Sequence, residues 1–228
     1  MIDRSTVSLG RAALLAGLFA AAFLYWDSAV FHPLRILVTL FHELGHGLAG
    51  VLTGGSIEVI TVDRMGGGLC YVSGGWRWVV LPAGYIGSMV TGCAILLLAC
   101  RTRWDRWVAM ALGALLVAAC LAYVRSWPGF LYGTGAGLAL FASGRRLSED
   151  FNDLLLCFIG STNCLYAVLD VRNLMRLGRG YNDAAMFSRE ILPLPPIVWA
   201  FLWGVLSVMA LLATLVVALR RPLRSAGD

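Results

Sequence analysis

Long apolar runs recur along the whole chain and constrain its fold more than any other feature. Hydrophobic residues make up 59% of the sequence and charged residues 14%, whereas a soluble domain has about half apolar and about a quarter charged residues. A helix crosses the bilayer core with about 20 apolar residues. We therefore predict one all-α polytopic membrane domain over residues 1–228, with six or seven transmembrane helices. The predicted helices lie at residues 11–29, 34–52, 78–99, 106–124, 128–143, 152–175 and 195–219.

The charged residues are placed as membrane anchors. All 18 basic residues are arginines, which occur singly or in pairs at the ends of apolar runs, and the net charge is +5. This arrangement favours a lipid bilayer as the partner and argues against nucleic acid. The arginines are balanced between alternate loops, so they predict no orientation. The six cysteines lack C-x-x-C spacing and lie mostly within apolar runs, so we expect free thiols.

One interval, residues 54–77, breaks the helical pattern. Two short β-prone runs flank the glycines Gly66, Gly67 and Gly68. This pattern predicts a hairpin within residues 55–75. Because the hairpin lies between two spans, its backbone must be sheltered by protein or lie in the interface. We therefore predict a re-entrant β-hairpin after the second helix.

The second helix carries an H-E-x-x-H motif formed by His42, Glu43 and His46. Residues four apart lie on one face of a helix, so both imidazoles can reach one Zn²⁺ ion and Glu43 can reach a water activated by it. The alternative to a metal site is that these three polar residues occur by chance on a solvent-exposed surface. Apolar residues on both sides of the motif argue against that alternative, because ionisable groups within a span are costly. His32 lies at the end of an apolar run and is not expected to be a ligand.

A zinc site with two histidines needs a third ligand, commonly a carboxylate or another histidine. Asp170 lies within an apolar run, and Asn163, Tyr166, Asp170 and Asn173 are spaced three, four and three, which places them on one helical face. This polar face indicates Asp170 as the ligand. An ion pair between Asp170 and a nearby arginine is the alternative.

Asp183 is the rival third ligand. It precedes Ala184 and Ala185, where a short helix could begin, and aspartate is a favoured N-cap residue. We interpret Asp183 as that N-cap and keep Asp170 as the predicted ligand.

The chain resembles the site-2 protease class of intramembrane metalloproteases, in its M50B-like branch. The resemblance is strongest over residues 36–92 and weaker over residues 155–205. It rests on residues 41–47 (FHELGHG), 53–55 (TGG), 83–88 (AGYIGS), 165–170 (LYAVLD) and 182–185 (NDAA). The chain departs from the family where Val171 follows Asp170 in place of glycine and where Tyr85 replaces the proline of many members. It also has no PDZ-like insertion.

The resemblance implies an integral membrane protein, which we expect in a bacterial cell membrane, that cleaves a membrane-embedded protein substrate. Zn²⁺ would be held by His42, His46 and Asp170, with Glu43 as general base. Asn163 would support the oxyanion or Asp170, and the segment with Gly66, Gly67 and Gly68 would hold an extended substrate strand.

Two other functions remain open from the sequence. One is a catalytically silent metal-binding scaffold that escorts membrane partners, which differs little in sequence from a protease. The other is a small transporter, which would be expected to contain duplicated broken helices around a midplane site. No such pair of segments is visible in the sequence.

Overall fold

Helices form most of the chain, and a two-stranded sheet follows the second helix. The structure is a computed structural model that describes residues 9–166, 168, 169 and 182–219. In chain order the elements are α1 (Leu9–Leu24), α2 (His32–Leu52), β1 (Ser56–Val62), β2 (Gly68–Ser73), α3 (Arg77–Val80), α4 (Ala83–Arg101), α5 (Asp105–Tyr123), α6 (Trp127–Arg146), α7 (Glu149–Cys164), α8 (Asp183–Glu190) and α9 (Pro196–Leu219).

Three of the described helices are long and apolar enough to cross a membrane, judged by length and composition: α4, α5 and residues 196–217 of α9. Helices α2 and α6 have 21 and 20 residues, but polar residues and glycines lower their mean hydropathy. The total of six or seven spans therefore stays a prediction. All six cysteines are free thiols, as expected.

The predicted helix at residues 78–99 is two helices, because Pro82 interrupts it. Helix α3 ends at Val80 and α4 begins at Ala83, with Pro82 as the N-cap of α4. Proline lacks the N–H that would continue a helix through this point. Pro33 has the opposite effect in α2, where it occupies the first turn and its missing N–H costs little.

The hairpin predicted within residues 55–75 is confirmed as antiparallel strands β1 and β2. Ile60 pairs with Cys70 and Val62 pairs with Gly68. The other edge of β1 is partly covered, because Ile60 also bridges Val124, at the end of α5. Among the described residues, the other edge of β2 pairs with no strand. The sheet therefore presents β2 as its open edge.

Helix α2 lies at the centre of the molecule, between α4, α6, α7 and the hairpin. Its apolar side forms a core with β1, α5, α6 and α7. Small residues permit the close packing on its other sides. A Cβ at Gly45 would lie 2.5 Å from the carbonyl oxygen of Ala83 in α4, and a Cβ at Gly47 would lie 2.6 Å from Ile57 in β1. These glycines bring α4 and the hairpin against the face that carries the histidines.

Candidate metal centre

The H-E-x-x-H residues lie in the buried middle of α2. His42, Glu43 and His46 have exposed fractions of 5%, 4% and 7%. Three ionisable side chains this deeply buried need polar partners or a metal ion, because an unpaired buried charge is costly. Their placement within one helix is as the sequence predicts.

Asp183 joins the two histidines in a compact triangle of possible ligand atoms. The Oδ2 atom of Asp183 lies 2.9 Å from Nε2 of His42 and 3.1 Å from Nε2 of His46, and the two Nε2 atoms are 3.1 Å apart. In a tetrahedral zinc site with bonds of about 2.0–2.1 Å, ligand atoms are separated by about 3.3 Å. The triangle therefore matches one face of such a site. Among the described residues, these three form the group of side chains that could hold a metal ion.

Hydrogen bonding fixes the orientation of the His46 ring. Its Nδ1 lies 2.7 Å from the carbonyl oxygen of Val80, the last residue of α3, so Nδ1 carries a proton and donates. In a neutral ring, Nε2 then presents its lone pair toward Asp183 and His42. Partners of this kind orient the histidine ligands of metal sites. The buried Nδ1 of His42 has no hydrogen-bond partner in the described part of the chain.

Gly84, the second residue of α4, keeps the space between the ligand atoms open. A Cβ at this position would overlap Nε2 of His42 and Nε2 of His46. The point between the two histidines is therefore free of side-chain atoms because residue 84 is glycine. Two nitrogen ligands, a carboxylate and an open central point fit a catalytic zinc site, which uses three protein ligands and leaves one position for water.

Two contacts place Asp183 at the centre. The cap of α8 is Asn182, whose side chain accepts a hydrogen bond from the N–H of Ala185 at 2.8 Å. The interpretation of Asp183 as the N-cap is therefore wrong by one residue, and its carboxylate is left to face the histidines. At the other end of α8, Glu190 pairs with Arg77 of α3 through contacts of 2.7–2.9 Å.

The histidines keep Asp183 ionised. Helix α8 has eight residues and is too short to span a membrane. Burial alone raises the pKa of Asp183, but when both nitrogens of His46 are protonated, the charge of that ring and the hydrogen bonds from both histidines outweigh the effect of burial. The pKa of this carboxyl therefore lies well below its ordinary value, and the side chain is available as an anionic ligand.

Two tyrosine rings pack against His42. The rings of Tyr85 and Tyr166 contact it edge-on, with centroids at 4.6 Å and 5.0 Å. Trp203 of α9 stacks on Tyr85 with centroids 5.2 Å apart. This cluster packs α4, the segment after α7 and α9 around the candidate ligand His42, and it limits the movement of the His42 ring.

Strand β2 begins next to Glu43. A Cβ at Gly68 would overlap Oε1 of Glu43 and would lie 2.6 Å from Cγ2 of Thr39. The carboxylate of Glu43 therefore occupies the space that a side chain at residue 68 would need. The hairpin backbone and the predicted catalytic base are in direct proximity.

The other predicted site residues are not part of the triangle of possible ligand atoms. Asp170 lies outside the described residues. Asn163 is fully buried, and its Nδ2 donates a hydrogen bond to the carbonyl oxygen of Ser88 in α4 at 3.1 Å. Its predicted role at the oxyanion stays a prediction. Gly66 and Gly67 form the hairpin turn rather than a strand, and Gly68 is the first residue of β2.

Comparison with known families decides the classification. The family model described as Peptidase M50B-like matches residues 15–214. The chain belongs to the M50B-like peptidase family. No match to a curated protein or to a solved structure was found.

Membership of the M50B-like family and the three membrane-type helices identify an integral membrane protein. The matched segment includes α2, the hairpin and α8, so the family resemblance covers the complete candidate centre. From the sequence, Asp170 on the predicted polar face was preferred and Asp183 was the rival ligand, so the contact of Asp183 with both histidines was not predicted. Its signal was present in the NDAA segment of the family resemblance.

Proposed function

We propose that this protein is a zinc-dependent intramembrane endopeptidase with His42, His46 and Asp183 as the metal ligands. The observation that carries the proposal is the triangle of three ligand atoms around the point kept open by Gly84. Asp183 replaces Asp170 as the proposed third ligand, because its carboxylate contacts both histidines.

The residues around this point have distinct roles in the proposed reaction. Zinc, when bound, would acidify a water molecule and polarise the substrate carbonyl. Glu43 would take the proton of the attacking water and return it to the leaving amine. His46 would be held by Val80, while Tyr85 and Tyr166 would restrain His42. The side chain of Asp183 is 21% exposed, so water can approach the centre from its side.

The proposed substrate is a membrane-spanning protein that presents an extended segment. The open edge of β2 can add such a segment as a further strand, with main-chain hydrogen bonds that do not depend on the side chains. Gly68 lies at the end of β2 beside Glu43. A segment paired with β2 would therefore run close to the proposed catalytic base.

Zinc content and cleavage by a Glu43→Gln variant test this proposal. The purified wild-type protein should contain one zinc per chain and should cut β-casein, an unfolded protein that offers many extended segments. Glu43→Gln should retain the zinc and lose cleavage by at least about a hundredfold, since general-base catalysis contributes about 10²–10⁴-fold. A correctly folded wild-type protein without zinc, or full activity in Glu43→Gln, would contradict the proposal.

The same experiment separates the protease from a metal-binding scaffold. A scaffold would bind zinc and leave casein intact in both the wild type and Glu43→Gln. The position of Glu43 favours the protease, because a purely structural zinc site has no use for a buried carboxylate beside its ligands.

A further inference from the structure

Polar residues form one stripe along α2, and the H-E-x-x-H motif is only its second half. His32, Arg35 and Thr39 precede the motif with spacings of three and four, so they lie on one face. Arg35 is 7% exposed and Thr39 is fully buried. Buried polar groups in a helix of this kind are costly and usually functional. The first half of the stripe therefore needs its own explanation.

Thr39 joins α2 to the hairpin turn. Its hydroxyl donates to the carbonyl oxygen of Gly66 at 2.9 Å. The hydroxyl of Tyr166 lies 3.4 Å from the same Oγ1 atom. Because the single proton of Thr39 is used toward Gly66, Tyr166 is the donor in that second contact. Thr39 therefore connects the hairpin, α2 and the segment after α7 at one buried point.

His32 and Arg35 hold the same turn from the preceding part of α2. Nε2 of His32 donates to the carbonyl oxygen of Arg64 at 2.7 Å. Gly66 lies directly on Arg35, since a Cβ there would be 2.7 Å from Nε of the guanidinium. Arg35 is itself held by an ion pair, since its Nη1 lies 3.2 Å from Oδ1 of Asp27. Three side chains of α2 thus contact residues 64–66. We call His32, Arg35 and Thr39 the hairpin clamp.

The clamp and the proposed catalytic base meet at Gly68. The methyl group of Thr39 and the carboxylate of Glu43 both border the space in which a Cβ of residue 68 would lie. Gly66 is bound by the clamp, and β2 begins two residues later. The clamp therefore determines how the first residues of β2 lie relative to Glu43.

We propose that the hairpin clamp, through Thr39, positions strand β2 over Glu43 and thereby sets which peptide bond of a β2-paired substrate is cut. This proposal rests on the proposed protease function. Thr39 is a positioning residue, since it contacts the hairpin rather than the ligand atoms.

The thiol of Cys70 reports the position of β2 without any substrate. Its Sγ packs 3.5 Å from the Cβ position of Gly47 in α2. Burial and the charge of Glu43 raise the pKa of Cys70 to about 12, so the thiol reacts slowly while the hairpin lies on α2. Release of the hairpin should speed its alkylation by N-ethylmaleimide, with the modified residue located by peptide mass and Cys100 as internal reference.

Thr39→Val removes the hydroxyl and keeps the shape of the side chain. We expect this variant to retain stoichiometric zinc and to show Cys70 alkylation about fivefold faster, as for the loss of one hydrogen bond. In Thr39→Ser, which keeps the hydroxyl, Cys70 should be alkylated at the wild-type rate. Thr162→Val is the matched control, because Thr162 is equally buried and, among the described residues, its hydroxyl bonds within α7 to the carbonyl oxygen of Phe158. If Thr39→Val fails to fold, Thr39→Ala removes the same hydroxyl and therefore the same hydrogen bond to Gly66.

Mapping the cut positions in β-casein completes the test. Thr39→Val should cut at bonds next to the wild-type positions, whereas Thr39→Ser and Thr162→Val should keep the wild-type pattern. Unchanged Cys70 alkylation in Thr39→Val, or an equal increase in Thr162→Val, would overturn the clamp. An absence of Glu43-dependent cleavage in the wild type would instead contradict the protease function, and the alkylation rates would still decide whether the clamp holds β2.

Discussion

Gly84 shows how a single absent side chain can make a metal centre possible. The Cβ of alanine at this position would overlap Nε2 of both histidines. We expect Gly84→Ala to lose bound zinc while remaining folded, as measured by metal analysis of the purified protein. Gly135→Ala is the control, because a Cβ at Gly135 meets no atom within 4 Å. Stoichiometric zinc in Gly84→Ala would show that the metal is held elsewhere.

The two candidate acids make opposite predictions for the third ligand. Asp183→Ala should lose most of the zinc, because it removes the only carboxylate that contacts His42 and His46 among the described residues. Asp170→Ala should keep it. Metal analysis of both variants at equal free zinc decides between them. The reverse result would restore Asp170 as the ligand and would contradict the assignment made from the structure.

The contrast between these two acids shows what local sequence can and cannot predict. H-E-x-x-H places its three residues on one helix, so spacing alone predicts their proximity. Helical periodicity likewise reports that Asp170 shares a face with Asn163 and Tyr166, but it does not report how far that face lies from α2. Asp183 contacts the histidines from α8, a separate element, and a contact between elements is not encoded in a local pattern.

At the level of elements, an ion pair joins α3 and α8, the two short helices that position His46 and Asp183 at the candidate centre. Helix α3 orients His46 through Val80, and α8 carries Asp183. Arg77 and Glu190 are 48% and 40% exposed, so their pair contributes about 0.2–1 kcal/mol. Arg77→Gln or Glu190→Gln should therefore weaken zinc affinity by up to about fivefold, as measured by chelator competition.

A charge swap controls for the loss of either side chain. The double variant Arg77→Glu, Glu190→Arg should recover much of the affinity lost in the single variants. If the swap binds zinc no better than Arg77→Gln, the ion pair does not support the centre.

The elements themselves were largely predictable, since each reflects a local pattern. The apolar runs place α2, α5, α6 and α9 within about three residues of their observed ends, and the glycine-flanked β-prone runs give the hairpin. Three predictions differ from the structure. Pro82 divides one predicted helix into α3 and α4. The first helix, predicted to residue 29, ends at Leu24. Helix α7 ends at Cys164, within the predicted helix at residues 152–175, part of which lies outside the described residues. In the first case the apolar pattern continues across a residue that cannot supply a backbone N–H.

For the whole molecule, zinc should act as a cross-link between distant parts of the chain. A ligand that binds only the folded state stabilises it by about 4 kcal/mol when its free concentration is a thousand times Kd. Removal of zinc with a chelator should therefore lower the midpoint of thermal unfolding. Asp183→Ala should show the same low midpoint with and without zinc. An unchanged wild-type midpoint, with zinc shown to be bound beforehand, would contradict this role.

The separation of the ligands along the chain also bears on biosynthesis. Asp183 follows His46 by 137 residues. A nascent polypeptide with α2 already in the membrane has two histidines and lacks this carboxylate until α8 has been translated. If Asp183 is the third ligand, the enzyme acquires its activity late in synthesis, after the hairpin and helices α4–α7. Under that assignment, neighbouring proteins at the site of insertion would be protected from the proposed protease while it is still being made.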